Sequence, residues 1–131
     1  MLGHPCDVTD EEAVDRLVDH ALSAYGRLDV LVTSAGVQAR GTVDGLSVAD
    51  LRACLEVNVV GTWLACRAAI RPMRTAGYGR ILTLAGALGL VGGAGRSGYA
   101  ASKGAVVQLT RSLAVELAGT VLPVDGGWTS H

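Results

Sequence analysis

Phenylalanine is absent from this 131-residue sequence, and aromatic residues make up only 4% of it. A core without large rings must be packed from Ala, Val and Leu, as in tightly packed α/β proteins. No sign of charge dominates: 11 Lys and Arg stand against 12 Asp and Glu, a formal net charge of −1. Without a basic footprint, nucleic acid is excluded as an expected partner. Cys6, Cys54 and Cys66 form no CxxC pair and leave an odd thiol, so they read as free thiols of a cytosolic protein rather than a disulfide framework. His4, His20 and His131 lie far apart in the sequence, without metal-ligand spacing, and no metal is expected. No apolar run reaches transmembrane length, and the first residues, MLGHPCDVTD, contain no signal-type hydrophobic stretch. The expectation is a soluble, cytoplasmic protein with no membrane partner.

What the sequence has in quantity is glycine (18 residues) and hydrophobic residues, which make up half of it. The length suits one domain with a modest core, 1–131. Thr9 and Glu12 stand in capping-box spacing, and Val14, Leu17, Val18, Ala21, Leu22 and Tyr25 follow at helical intervals up to Gly26. Leu28–Thr33 is a continuous apolar run of strand length, expected to be buried on both faces. Ser47, with Asp50 three residues on, is a candidate N-cap. Helical spacing continues through Leu51, Cys54 and Leu55, and a longer apolar helix runs from Asn58 to about Met73. Arg80–Leu84 reads as the next buried strand. A Gly-rich loop over 85–98 then leads into a helix over about 99–118, apolar around a wide arc. Val121–Val124 is a short strand with an edge-type proline, followed by a turn at Asp125-Gly126-Gly127. Strands alternating with helices in this way imply an α/β fold, a parallel sheet with helices on its faces.

The chemistry is concentrated at Tyr99-Ala100-Ala101-Ser102-Lys103. Residues four apart share a helix face, so the phenol and the ammonium project together. A free tyrosine titrates near pH ~10, and a neighbouring positive charge favours its ionised form, which suits proton exchange nearer neutral pH. Two residues alone make a weak motif, and an ordinary surface Tyr and Lys on a first helical turn is the competing reading. Trp63, Cys54 and Cys66 read as helix core or helix-helix contacts, and Arg67, Arg71 and Arg74 as a solvated helix face or oligomer rim. Gly93 to Gly98 spells GxGxxG before a helix. Its strand ends near Leu84, too early for a tight strand-to-helix turn, so a flexible loop beside the substrate is the better reading.

The order Asp7-Val8-Thr9-Asp10, LDVLVTSAGV, LEVNVVGTW, GRILTLAG, YAASK, SLAVELA and LPVDGGW resembles the short-chain dehydrogenase/reductase family over nearly the whole chain. The resemblance implies a partial Rossmann-type three-layer fold, one incomplete NAD(P)-binding domain, that transfers a hydride between NAD or NADP and a small alcohol or carbonyl substrate. It makes Tyr99 the general acid/base. Lys103 would be its electrostatic partner and a ligand of the nicotinamide ribose, and Asn58 would anchor a relay water. It places Asp7 and Val8 at the adenine edge and Ser34, Ala35 and Gly36 against the cofactor. The LPVDGGW tail is most like a 3-oxoacyl-reductase branch. Homo-oligomers would form through helices 58–73 and 99–118.

Three departures accompany the resemblance. The family's catalytic serine lies thirteen residues before the tyrosine, where this sequence has Gly86; Thr83 and Ser97 are the candidate stand-ins. The first βαβ unit, with its phosphate-cradling turn, does not precede residue 1. At ~30 residues per unit that is roughly 60 residues. The residue that would choose NAD or NADP goes with it. Ala118 runs almost directly into Gly119–Pro123, omitting an interior strand and a substrate lid, so the retained third and last strands lack their usual neighbours and should leave ladder edges open or pair differently. Two other readings stand beside the enzyme: a chain that acts only through oligomer contacts, or a sequence lacking segments that the protein has.

Overall fold

The computed structural model describes residues 1–117 and the backbone of residues 124–125. Asp10, not Thr9, caps the first helix, α1 (Glu11–Tyr25): its carboxylate accepts from the Ala13 amide at 3.1 Å. The Thr9 hydroxyl is turned back instead, donating to Asp7 at 2.8 Å. The aspartate one residue later is a stronger cap because its charge also meets the positive end of the helix dipole. Gly26 closes α1 at φ 74°, a left-handed turn that glycine adopts without steric cost.

Strand β1 (Val30–Thr33) leads to the helix α2 (Val48–Leu55), capped by Ser47 as expected, with Ser47 Oγ accepting from the Asp50 amide. The helix does not restart at Asn58. A π-helical turn over Glu56–Val60 joins α2 directly to α3 (Gly61–Ala76), giving 29 continuous helical residues. By length and composition alone this helix could cross a membrane (mean hydropathy 1.3 in its most apolar window), although charged residues interrupt it and no single apolar run is that long. In the fold its apolar side is committed elsewhere: Cys66, Ala69 and Met73 pack with Ile81, Leu113 and Leu117 in the main core. Strand β2 (Arg80–Thr83) and helix α4 (Ser97–Glu116) follow, with a short 3₁₀ turn at Ala87–Gly89 between them.

The sheet is parallel throughout, in the order β1-β2-β3, with Leu31 beside Ile81 and Ile81 beside Val124 of β3 (Val124–Asp125). Asp125 therefore continues a strand where a turn was expected. Residues 118–123, including most of the expected last strand, and the Gly126-Gly127 turn lie outside the described residues. β3 takes the place beside β2, so that edge is paired. The opening residues 2–8 form no strand. β1 is accordingly an edge strand among the described residues, and Val30 and Val32 are 49% and 54% exposed rather than buried on both faces. The helices cover the face carrying Leu31 and Ile81.

A second cluster, Val14 with Leu64 and Ala68, fastens α1 to α3. Cys54 and Cys66 are buried as expected, and burial pushes the Cys66 thiol up to about 11, so it stays protonated. Trp63 is not core. It is 44% exposed, with the Arg67 guanidinium 4.9 Å from its ring centre, and Arg67 in turn pairs with Glu11 of α1. Met73, with no exposed surface, is the sharper test of the core. Met73→Ala should lower the unfolding free energy by about 2–5 kcal/mol in urea titration, whereas a loss under about 1 kcal/mol would place Met73 outside the packed centre.

Candidate active site

The π-turn at Glu56–Val60 widens the helix by one residue and carries Asn58, which is 1% exposed. A π-turn costs hydrogen-bond geometry and persists where a side chain uses the distortion. Here the Asn58 carboxamide behaves like a short piece of strand. Its Oδ1 accepts from the Val37 amide at 2.8 Å, and its Nδ2 donates to the Val37 carbonyl at 2.9 Å. Because an amide N–H can only donate and a carbonyl only accept, these bonds settle which end of the side chain is which. The second Nδ2 proton goes to Ser102 Oγ at 2.9 Å, and Ser102 donates to the Tyr99 carbonyl at 2.7 Å. One buried side chain thus ties the loop after β1, the long helix and the first turn of α4 together. Cys54 completes the cluster, with its Sγ 3.4 Å from Asn58 Nδ2 and 3.6 Å from the Val37 carbonyl. Gly36 lets the loop come this close: a Cβ there would stand 3.2 Å from Asn58 Oδ1 and 3.8 Å from Lys103 Nζ.

Tyr99 and Lys103 lie one turn apart on α4, with Lys103 Nζ 5.7 Å from the Tyr99 ring centre. The ammonium donates to the Leu84 carbonyl at 2.6 Å, and Lys103 is only 8% exposed. Burial lowers its pKa from the ordinary lysine value. Both residues open onto a cleft of about 270 Å³, walled by Ser34, Gly36 and Gln38 on one side and Leu84 and Gly86 on the other.

Of the residues singled out from sequence, Tyr99, Lys103, Ser34 and Gly36 therefore meet at one cleft, with Asn58 directly beneath it. Ala35 is exposed and is not part of the cleft wall. Asp7 and Val8 stand apart from it. The Asp7 carboxylate accepts from the Thr9 amide and hydroxyl, which lowers its pKa, and Val8 packs on Gly61 of α3. Neither stand-in for the missing serine serves. Thr110 spends its hydroxyl proton on the Val106 carbonyl, so the Thr83 hydroxyl 2.7 Å away donates to Thr110 and is wholly buried. Ser97 begins α4 and does not line the cleft. The GxGxxG stretch is not a strand-to-helix turn: Gly93–Arg96 form a loop, in which the Gly95 carbonyl accepts from the Gly41 amide at 3.0 Å, and Ser97-Gly98 already open α4.

The features not singled out are the Ser102 relay, the Cys54 contact and the Leu84 carbonyl. Ser102 sits inside the YAASK motif, so its position was legible while its partner was not. Cys54 lies four residues before Asn58, one turn along the same helix, which is the signal that could have found it.

A family model described as short chain dehydrogenase matches residues 1–126. The chain is 41% identical over 91% of its length to cis-4-hydroxycyclohexanecarboxylate dehydrogenase of Sinomonas cyclohexanicum, covering 48% of that protein. Among solved structures it is similar to NAD⁺-bound xylitol dehydrogenase (TM-score 0.90, 37% identity, 92% of this chain and 47% of that one). It is similar also to ElxO with NADP bound (TM-score 0.89, 32% identity, 91% and 48%). The chain spans about half the length of the curated relatives it matches.

Two substitutions test this geometry. Asn58→Leu keeps the size but strands the Val37 amide and carbonyl, and should cost about 2–4 kcal/mol of stability in thermal or urea unfolding; a change within ~0.5 kcal/mol would mean the tie is not made. Gly86 has φ 73° and ψ 169°, a region essentially reserved for glycine, although no atom lies within 4 Å of where a Cβ would stand. Gly86→Ser should therefore be destabilising by about 1–3 kcal/mol through backbone strain alone, and a neutral result would show that the loop relaxes to a serine-compatible conformation.

Proposed function

The chain belongs to the short chain dehydrogenase family, and on that premise we propose that it transfers a hydride between a nicotinamide dinucleotide, NAD or NADP, and the carbinol carbon of a small alcohol. The observation that carries the proposal is the convergence of Tyr99 and Lys103 on one cleft, with Asn58 pinned under both.

The residues present suit the nicotinamide-ribose end of such a cofactor. Gly36 leaves the wall without a side chain where a Cβ would crowd Asn58, and Lys103 offers an ammonium that can donate up to three hydrogen bonds, one of them now on Leu84. When bound, the cofactor would accept the hydride in oxidation and supply it in reduction. Tyr99 takes the hydroxyl proton in oxidation and returns it in reduction. The Lys103 charge, 5.7 Å from the phenol ring, stabilises negative charge developing on the tyrosine oxygen. Asn58 does its part without touching substrate, holding the α4 turn at Tyr99 through Ser102 and the cofactor loop through Val37. With glycine at position 86, no side-chain hydroxyl from that position holds the substrate oxygen, which leaves Tyr99 as its principal donor.

The LPVDGGW tail is like that of a 3-oxoacyl-reductase branch, but the relatives named above act, by their names, on a hydroxycyclohexanecarboxylate and on xylitol, so an alicyclic or polyol alcohol is the better first trial. Assembly through the α3 and α4 helices is supported by the groove between them, where Trp63, Ile70 and Leu113 lie near Arg67, Arg71 and Arg74. An oligomer-only role has less support, because the tyrosine, lysine and asparagine are all in place.

The test is the appearance of reduced nicotinamide when the protein is given NAD⁺ or NADP⁺ with 4-hydroxycyclohexanecarboxylate or xylitol. Turnover that falls about 10²–10⁴-fold in Tyr99→Phe is the expected result. Turnover unaffected by that substitution would remove Tyr99 from the chemistry.

A further inference from the structure

One residue of the cleft wall, Gln38, belongs to a second arrangement that hydride transfer does not use. Gln38, on the cleft wall, accepts through a single Oε1 from Arg40 Nε and from Arg96 Nη1, each at 2.8 Å. Two guanidinium nitrogens that share one oxygen are no farther apart than twice that distance, close enough for the charges to repel appreciably. Among the described residues neither arginine has a carboxylate within ion-pair distance; the ion pairs formed involve Arg16, Arg27 and Arg67. What sets Arg40 and Arg96 apart is that two cations are held together on one neutral amide oxygen.

The arrangement is also braced. Ala39, between Gln38 and Arg40, is 3% exposed and sits against Gly98 of α4. The Gly41 amide bonds the Gly95 carbonyl at 3.0 Å, locking the two loops that carry the arginines to each other. Each guanidinium has five N–H donors and spends one on Gln38, so several remain for an oxyanion.

Resting on the dehydrogenase reading above, we infer that Arg40 and Arg96, oriented by Gln38, form the specificity site for an anionic group, a carboxylate or phosphate, carried by the substrate alcohol away from its reacting hydroxyl. An oxyanion there relieves the repulsion between the arginines and orients the alcohol toward Tyr99. The same geometry makes a neutral alcohol a poorer ligand, because it leaves the cation pair uncompensated.

Binding is measured without turnover, by following the arginine Nε–Hε signals in ¹⁵N NMR spectra, assigned with Arg40→Gln and Arg96→Gln. The probes are C4 to C8 hydroxycarboxylates against their methyl esters, and glycerol 3-phosphate against glycerol. The larger of the two charged-to-neutral ratios identifies carboxylate or phosphate as the natural group. At least one charged probe should bind about 10–100-fold more tightly than its neutral partner and move both arginine signals, and Arg96→Gln should remove most of that preference. Equal binding of every charged and neutral pair overturns the inference. So does an unchanged preference in both arginine variants, or arginine signals that respond to NADP⁺ alone, which would give the pair to the cofactor. Anion binding here without any reduction of NAD⁺ or NADP⁺ would sink the dehydrogenase reading and leave the anion site standing. Oxidation of neutral and charged alcohols with equal kcat/KM would do the reverse.

Discussion

Everything around the cleft depends on the buried carboxamide of Asn58. Val37 lies in a loop, so its amide and carbonyl have no partner in a strand or helix ladder. Asn58 meets both groups of Val37 with the two ends of one side chain and still has a proton for Ser102. The π-turn at Glu56–Val60 carries this residue, facing Val37 and α4, as such turns often do where a side chain has a specific use. Gly36 is required by the same contact, since a side chain there would press on Asn58 Oδ1.

Much of the scaffold was legible because its signals are local. The Ser47 cap, the glycine stop after Ala76, the two strands of the β1–β2 pair and the YAASK helix rest on capping chemistry and hydrophobic period, and each appears where those rules put it. What was misread depends on neighbours the sequence does not display. Val30 and Val32 have the composition of a strand buried on both faces, yet the described residues cover only the side of Leu31 and Ile81. Trp63 has the composition of core, yet it is 44% exposed with its ring under the Arg67 guanidinium. The capping box at Thr9 fails because Asp7 competes for the same hydroxyl.

The candidate site shows the same division. Tyr99 and Lys103 were found from motif and spacing, Asn58 through the family resemblance, and the fold brings the three together. Their connections were hidden, because Ser102 to Asn58 spans 44 residues and Asn58 to Val37 spans 21. Thr83 is the instructive failure. Its place near the end of β2 made it a reasonable substitute for a missing serine, but strand alternation turns it toward Thr110, on the core side. Gly86, by contrast, is a glycine that its backbone demands, so the absence of a hydroxyl at that position belongs to the loop conformation as much as to the residue.

The claim that one carboxamide holds the cleft together is tested most directly by hydrogen exchange at the Val37 amide. Val37 is in a loop and 42% exposed, so without Asn58 it should exchange as freely as its exposed neighbours. With the bond to Asn58 Oδ1 intact, its protection should come within about tenfold of the buried α4 amides such as Val106. Exchange at the rate of an open loop would contradict the account, because it would mean that Val37, Asn58 and Ser102 are not joined in solution.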